Sequence, residues 1–197
     1  MRWNNLFDDL ESQLEQELGA EQLDVAAEEE RLRLSRLTVR ERLIALHRTR
    51  PGDPVRVELR DGTVLDAVPT AFGRDWMAVD VRTEGVHRAA GVLPLAAVRT
   101  LTLTRAQIPD TLVAGAADEP ASALSARLGL PFVLRDLCRR RAAVAVALPG
   151  ATLRGTIDRV GRDHVDLALH DPAEPRRESA VQGYRIVAFD QLLLVWI

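Results

Sequence analysis

Hydrophobic and polar positions alternate with period two along two separate stretches of the chain. In the first, Val55-Arg56-Val57-Glu58-Leu59 leads through Asp61-Gly62 to Leu65–Phe72, then through Gly73-Arg74-Asp75 to Trp76-Met77-Ala78-Val79. In the second, Val144-Ala145-Val146-Ala147-Leu148 leads through Pro149-Gly150 to Ala151-Thr152-Leu153, then through Gly161-Arg162-Asp163 to His164-Val165-Asp166-Leu167. Each stretch predicts strand, glycine turn, strand, Gly-Arg-Asp turn and a third strand. Gly62 and Gly150 are 88 residues apart, as are Gly73 and Gly161, whereas Val55 and Val144 are 89 apart. The offset predicts a first hairpin one residue shorter in the second copy. A duplicated β-unit predicts two similar small domains in tandem.

The flanking pattern is helical. Trp3, Leu6, Phe7, Leu10, Leu14 and Leu18 recur at three- and four-residue steps, and Asn4 is a candidate N-cap. Beyond Gly19 the stripe thins into Glu28-Glu29-Glu30, so one long helix and two shorter ones are both open. Thr38-Val39-Arg40-Glu41 has capping-box spacing ahead of Leu43, Ile44 and Leu46, and Pro51 and Pro54 end that helix. After the third strand, residues 84–91 read as a loop, Val92–Leu95 as a short strand, Ala96-Ala97 as one helical turn, and Val98–Thr104 as the fifth strand. Residues 105–120 read as a linker, and Leu124–Leu128 and Pro131–Arg140 as helical turns before the second set of strands. The expected fold is mainly β with helices (α+β). It comprises an acidic N-terminal helical arm (1–36), a barrel with its leading helix (37–104), the linker (105–120) and a second such barrel (121–197). Five short strands on so few residues are expected to close so as to hide their edges.

Composition narrows the class of function. With 197 residues, 47% of them hydrophobic, the chain is long enough for a real core. Cys138 is the single cysteine, which excludes an internal disulfide. No apolar run approaches the roughly 20 residues of a membrane span, and no signal-like start is visible, so a cytoplasmic protein is expected. All 26 basic residues are arginine, in keeping with a GC-rich genome. Charge runs from −7 over residues 1–35 to +1 over 36–120 and +3 over 121–197. That slight C-terminal excess argues against strong nonspecific nucleic-acid binding.

The Val-x-Val-x-Leu strand, the glycine turn and the Asp-x-hydrophobic-x-hydrophobic third strand, present in both halves, resemble the Sm-like (LSm) family. That family has a helix followed by a bent five-stranded barrel, and other SH3-like small barrels share these motifs. The start Met1-Arg2-Trp3, with Asn5-Leu6-Phe7 and two small barrels, looks like a group of actinobacterial proteins. The resemblance implies that RNA would be bound by a third-strand stacking residue, an Asn two places on and an Arg-Gly pair. Here the stacking positions are Trp76 and His164, the Asn positions are Ala78 and Asp166, and no Arg-Gly pair occurs near either last strand. No helix-turn-helix follows the strands.

Other chemistry is sparse. His164, Asp166 and His170 invite a metal, but at about 6.6 Å per two residues along a strand the histidines would stand roughly 20 Å apart. No metal or other cofactor is expected. There is no nucleophile elbow and no phosphate-binding glycine loop, so no catalytic residue and no small-molecule substrate are indicated. Cys138 reads as a small core residue, since no histidine lies near it in sequence. Arg135, Arg139 and Arg140, with Arg176 and Arg177, form the best basic patch, read either as a solvated helix end or as a weak phosphate-binding face. Leu192–Ile197 is apolar on both faces and needs a cover on the second. The expectation is a non-catalytic interaction protein that docks a protein partner, or itself, through Trp3, Leu6, Phe7, Leu10 and Leu14 or a barrel surface. The alternative is weak, salt-sensitive RNA binding through Trp76, His164 and the arginines.

Overall fold

The computed structural model describes residues 22–83, 86–115, 127–171, 179 and 181–197, with backbone alone for 83 and 86–88. The chain divides into two compact units, Met1–Val39 and Arg40–Ile197. In the first, residues 22–36 form helix α1, mostly exposed, with Glu28–Arg31 and Glu30–Arg33 ion pairs at 3.3 and 2.6 Å, one turn apart.

The second unit opens within α2 (Val39–Thr49), whose Leu43, Ile44, Ala45 and Leu46 are buried. Then come β1 (Val55–Leu59), β2 (Val64–Phe72), β3 (Trp76–Thr83), β4 (Val86–Pro94), a 3-10 turn (Leu95–Ala97) and β5 (Val98–Thr102). A short helix α3 (Gln107–Asp110) stands inside the expected linker, anchored where the Gln107 amide donates to the Pro54 carbonyl at 3.1 Å. Helix α4 (Leu130–Arg140) has Pro131 in its first turn and buries Leu130, Leu134 and Leu137. The second strand set is β6 (Ala143–Leu148), β7 (Ala151–Val160), β8 (His164–Leu169), β9 (Gly183–Ala188), a 3-10 turn (Phe189–Gln191) and β10 (Leu194–Trp196). Residues 86–91, expected as loop, belong to β4. Their backbone pairs with β3 as far as Thr83↔Val86, although Ala89, Ala90 and Gly91 offer little strand propensity.

The duplication extends to register. Val57 faces Leu65 and Leu101, as Val146 faces Leu153 and Val195. A register shift falls between Pro69 and Ala71 on β2, and its counterpart between Ile157 and Arg159 on β7. Glu58 faces Val64 and Ala147 faces Thr152, so the second hairpin is one residue shorter.

Two closed barrels do not form, and the expected fold class is corrected here. The strands make one open ten-stranded antiparallel sheet in the order β5-β1-β2-β3-β4-β10-β6-β7-β8-β9. Closing each set would require β4 to pair with β5 and β9 with β10. Instead the β4 edge is taken by β10, through Val195↔Val92 and Trp196↔Gly91 and an Ile197 N–H to the Ala90 carbonyl at 3.0 Å. An edge hidden by another strand set no longer drives closure onto its own.

This junction explains why the C-terminal strand is apolar on both faces. Leu193 and Leu194 sit in the core of the first strand set, with Leu43, Leu46, Val57 and Met77. Leu192 and Val195 sit in the core of the second, with Leu134, Val146, Ile157 and Leu167. Val92 crosses the other way, from the first set into the second core. Each fully buried aliphatic side chain contributes roughly 1.5–3 kcal/mol, so the shared strand binds the halves into one folding unit.

Candidate functional site

The two Gly-Arg-Asp turns carry the two stacking candidates. In each, the glycine N–H donates to the carbonyl of the residue three places on, Gly73 to Trp76 at 2.9 Å and Gly161 to His164 at 2.8 Å. The aromatic side chain folds back over the glycine. A Cβ at Gly73 would lie 2.1 Å from the Trp76 indole nitrogen, and one at Gly161 would lie 2.5 Å from the His164 ring. At Gly73 the Leu128 carbonyl oxygen would also lie within 2.7 Å, so glycine is a steric requirement there, whereas a Cβ at Gly161 would displace the half-exposed His164 ring.

Their surroundings differ. The first turn is covered by the segment leading into α4. The Arg74 N–H and the Trp76 indole N–H both donate to the Leu128 carbonyl at 2.9 Å. Asp75 accepts the Leu130 N–H at 2.7 Å, supplying an acceptor to the start of α4. Trp76 is half-buried against the second core, so its indole is engaged in packing rather than offered to a base. The second turn carries no such cover among the described residues. The Asp163 side chain is 85% exposed, and its contact is His164 Nδ1 at 2.8 Å. That hydrogen bond from His164 holds the Asp163 carboxyl below the usual carboxylate range. His164 Nε2 stands 4.0 Å from Asp166, one of whose oxygens is buried without a hydrogen-bond partner among the described residues. Asp166 also lies 3.9 Å from Arg159 across the β7·β8 ladder. Four strands separate β3 from β8, so Trp76 and His164 line no common pocket.

The arginines lie elsewhere. Arg135, Arg139 and Arg140 are exposed on α4, with Arg139 and Arg140 both bound to Asp136, at 2.5 and 2.8 Å. One carboxylate thus offsets part of the basic patch. Arg176 and Arg177, and the stripe Trp3, Leu6, Phe7, Leu10 and Leu14, lie outside the described residues. The Cys138 thiol donates to the Asp158 carbonyl at 3.3 Å and packs against the second core. His170 is buried, with Nε2 2.6 Å from the Thr156 hydroxyl and Nδ1 2.9 Å from the Asp171 carbonyl, so both ring nitrogens are satisfied. Among the described residues no three His, Cys, Asp or Glu side chains come together to hold a metal ion. No helix among them is long and apolar enough to cross a membrane.

Sequence reasoning expected five strands in the second set but gave its fourth strand, β9, no bounds and did not single it out as a functional edge. This strand ends the sheet, and Tyr184 and Ile186 on it are 56% and 76% exposed. Ile186 pairs with Asp166 as Val92 pairs with Ala78, which makes it the counterpart of Val92, and Val92 is 2% exposed. The signal was present in the sequence, because Leu95-Ala96-Ala97 and Phe189-Asp190-Gln191 correspond at a spacing of 94. The longer loop of the second copy breaks the 88-residue period, so the spacing alone did not give the strand's bounds. No protein-family model, no curated protein and no solved structure matches the chain.

Proposed function

We propose that the chain is a non-catalytic interaction module of the cytoplasm that docks a protein partner on the surface of its sheet. The carrying observation is β9, a sheet edge bearing large exposed apolar side chains where the matching strand β4 is covered. Edge strands usually carry protective features such as charge clusters or proline, and exposed apolar edges are places where another strand adds. The N-terminal stripe from Trp3 to Leu14 remains a second docking element on the strength of its periodicity. Purifying the native complex and measuring its mass by light scattering, with its absorbance ratio at 260 and 280 nm, tests the proposal. A protein-like spectrum and a mass above that of one chain are expected. A lone monomer from native extract would end it.

A second reading, weak RNA binding, is favoured by the exposed Arg135, Arg139 and Arg140 on one helix. Binding of this kind falls steeply with salt, and replacing the three arginines by alanine would flatten the salt slope. A nucleic-acid spectrum in the purified complex would promote this reading over the first.

A further inference from the structure

We propose that the cleft between hairpins β1–β2 and β6–β7 binds a small organic cation, an ammonium group carried on an aryl or alkyl body. The site stands apart from the docking edge and shares no residue with β9. The cleft exists because the two strand sets form one sheet. Asp61 and Leu65 of the first set line it with Leu148 and Gly150 of the second, and Leu193 and Trp196 come from the segment that carries β10. Its volume is about 420 Å³, within the roughly 300–1,000 Å³ of small-molecule sites. The Arg60 guanidinium donates to the Asp190 carbonyl, which ties the first hairpin turn to the segment leading into β10 and fixes one wall.

Side-chain size keeps the cleft open. Ala147 and Ala151 line it, at the positions that Glu58 and Thr63 hold in the first set. Glu58 occupies its place by accepting hydrogen bonds from Thr100 and Arg99 at 2.8 and 3.3 Å, whereas Ala147 has only a methyl group. A Cβ at Gly150 would meet nothing within 4 Å. The floor is core, since Leu59, Leu193 and Leu194 are each no more than 2% exposed. An apolar body seated on it leaves water on every side but the mouth, and that transfer drives entry.

Charge sets the sign of the ligand. Asp61 is the one titratable group lining the cleft among the described residues. Its oxygens accept the Thr63 N–H and hydroxyl, both at 2.9 Å, which holds the carboxylate in place with lone pairs to spare. Trp196 lines the same cleft half-buried, without a side-chain hydrogen bond among the described residues, and indole is the aromatic ring that best receives a cation on its face. An anion would meet Asp61 with no counter-charge in the cleft, and a neutral body would gain nothing from the carboxylate. An ammonium on an apolar body matches carboxylate, indole and leucine floor together.

NMR titration of the isotope-labelled full chain tests this, with phenylbutylammonium as the probe and phenylbutanol as its neutral counterpart. The ammonium is expected to shift the Trp196 indole and Gly150 amide signals saturably and to bind about threefold more tightly than the alcohol, the scale of one exposed ion pair. Asp61→Asn keeps an acceptor for the Thr63 N–H and leaves a turn-forming Asn-Gly pair, so the hairpin is retained. It should weaken the ammonium about threefold and leave the alcohol unchanged. Added salt should weaken the ammonium alone. Ala151→Phe, at an exposed strand position, fills the mouth and should abolish binding of both probes with little change in the melting temperature. The proposal is overturned if the ammonium gives no saturable shift at Trp196 and Gly150. It is equally overturned if the alcohol binds as tightly as the ammonium and Asp61→Asn changes neither, or if Ala151→Phe binds both probes as the unmodified chain does.

Discussion

At Gly73–Trp76 and at Gly161–His164 the backbone makes the same turn, yet the first is covered by Leu128–Leu130 and the second is open. The strands beside them differ in the same way, with Val92 buried and its counterpart Ile186 exposed. Local sequence does not account for the difference, because both turns carry Gly-Arg-Asp and an aromatic ring. The tertiary contacts do: the first strand set receives a strand and a helix start from the second, and no described residue covers the Gly161–His164 turn in the same way.

Substitutions at matched positions sharpen this contrast. The largest effect is expected for Leu194→Ala, which opens a cavity in the first core and should cost about 2–5 kcal/mol in denaturant unfolding. Its counterpart Thr100→Ala should stay within about 0.5 kcal/mol, as exposed positions usually do. Equal costs would mean that the junction contributes no core. Next, Val92→Ala should destabilise by roughly 2 kcal/mol through lost burial and packing. Ile186→Ala, measured at high dilution, should be close to neutral. A large loss at Ile186 under those conditions would mean that β9 is covered within the chain.

Smaller effects come from the turns. Asp75→Ala removes the acceptor for the Leu130 N–H and should cost about 1 kcal/mol, the scale of a lost helix cap. Asp163→Ala removes only an exposed contact and should cost less, so reversed magnitudes would contradict the assignment of the covered turn. The smallest effect is electrostatic. The hydrogen bond from His164 lowers the Asp163 pKa in the folded state. Its small stabilisation is therefore full above the unfolded carboxylate value of about 3.9 and is lost as pH falls through the lowered folded value. In an NMR titration, His164→Ala should move the Asp163 midpoint upward. An unmoved midpoint would show that the pair does not form in solution.

Much of the local structure was legible in the sequence. Alternation at Val55-Val57-Leu59 and Val144-Val146-Leu148 predicted both first strands and their inward faces, and the 88- and 89-residue spacings predicted the common register and the shorter hairpin. The candidate site was less legible. Trp76 and His164 were found as matching positions, but nothing local told that Leu128 would occupy one of them, because that contact joins residues 52 apart. The apolar Leu192–Val195 run announced a need for cover on two faces without naming what would cover them.

The sequence alone determined the strands, their turns and their duplication, because side-chain periodicity and glycine sterics act over a few residues. The tertiary structure decided which edges met. Backbone N–H and C=O groups at a strand edge are nearly the same whatever the side chains, so β4 could pair with β5 or with β10 on equal backbone terms. The choice fell to packing over long range, where Leu193, Leu194, Leu192 and Val195 fill two cores from one strand and Val92 fills the second from the first set. That shared burial opened both strand sets into one sheet and left β5 and β9 at its ends.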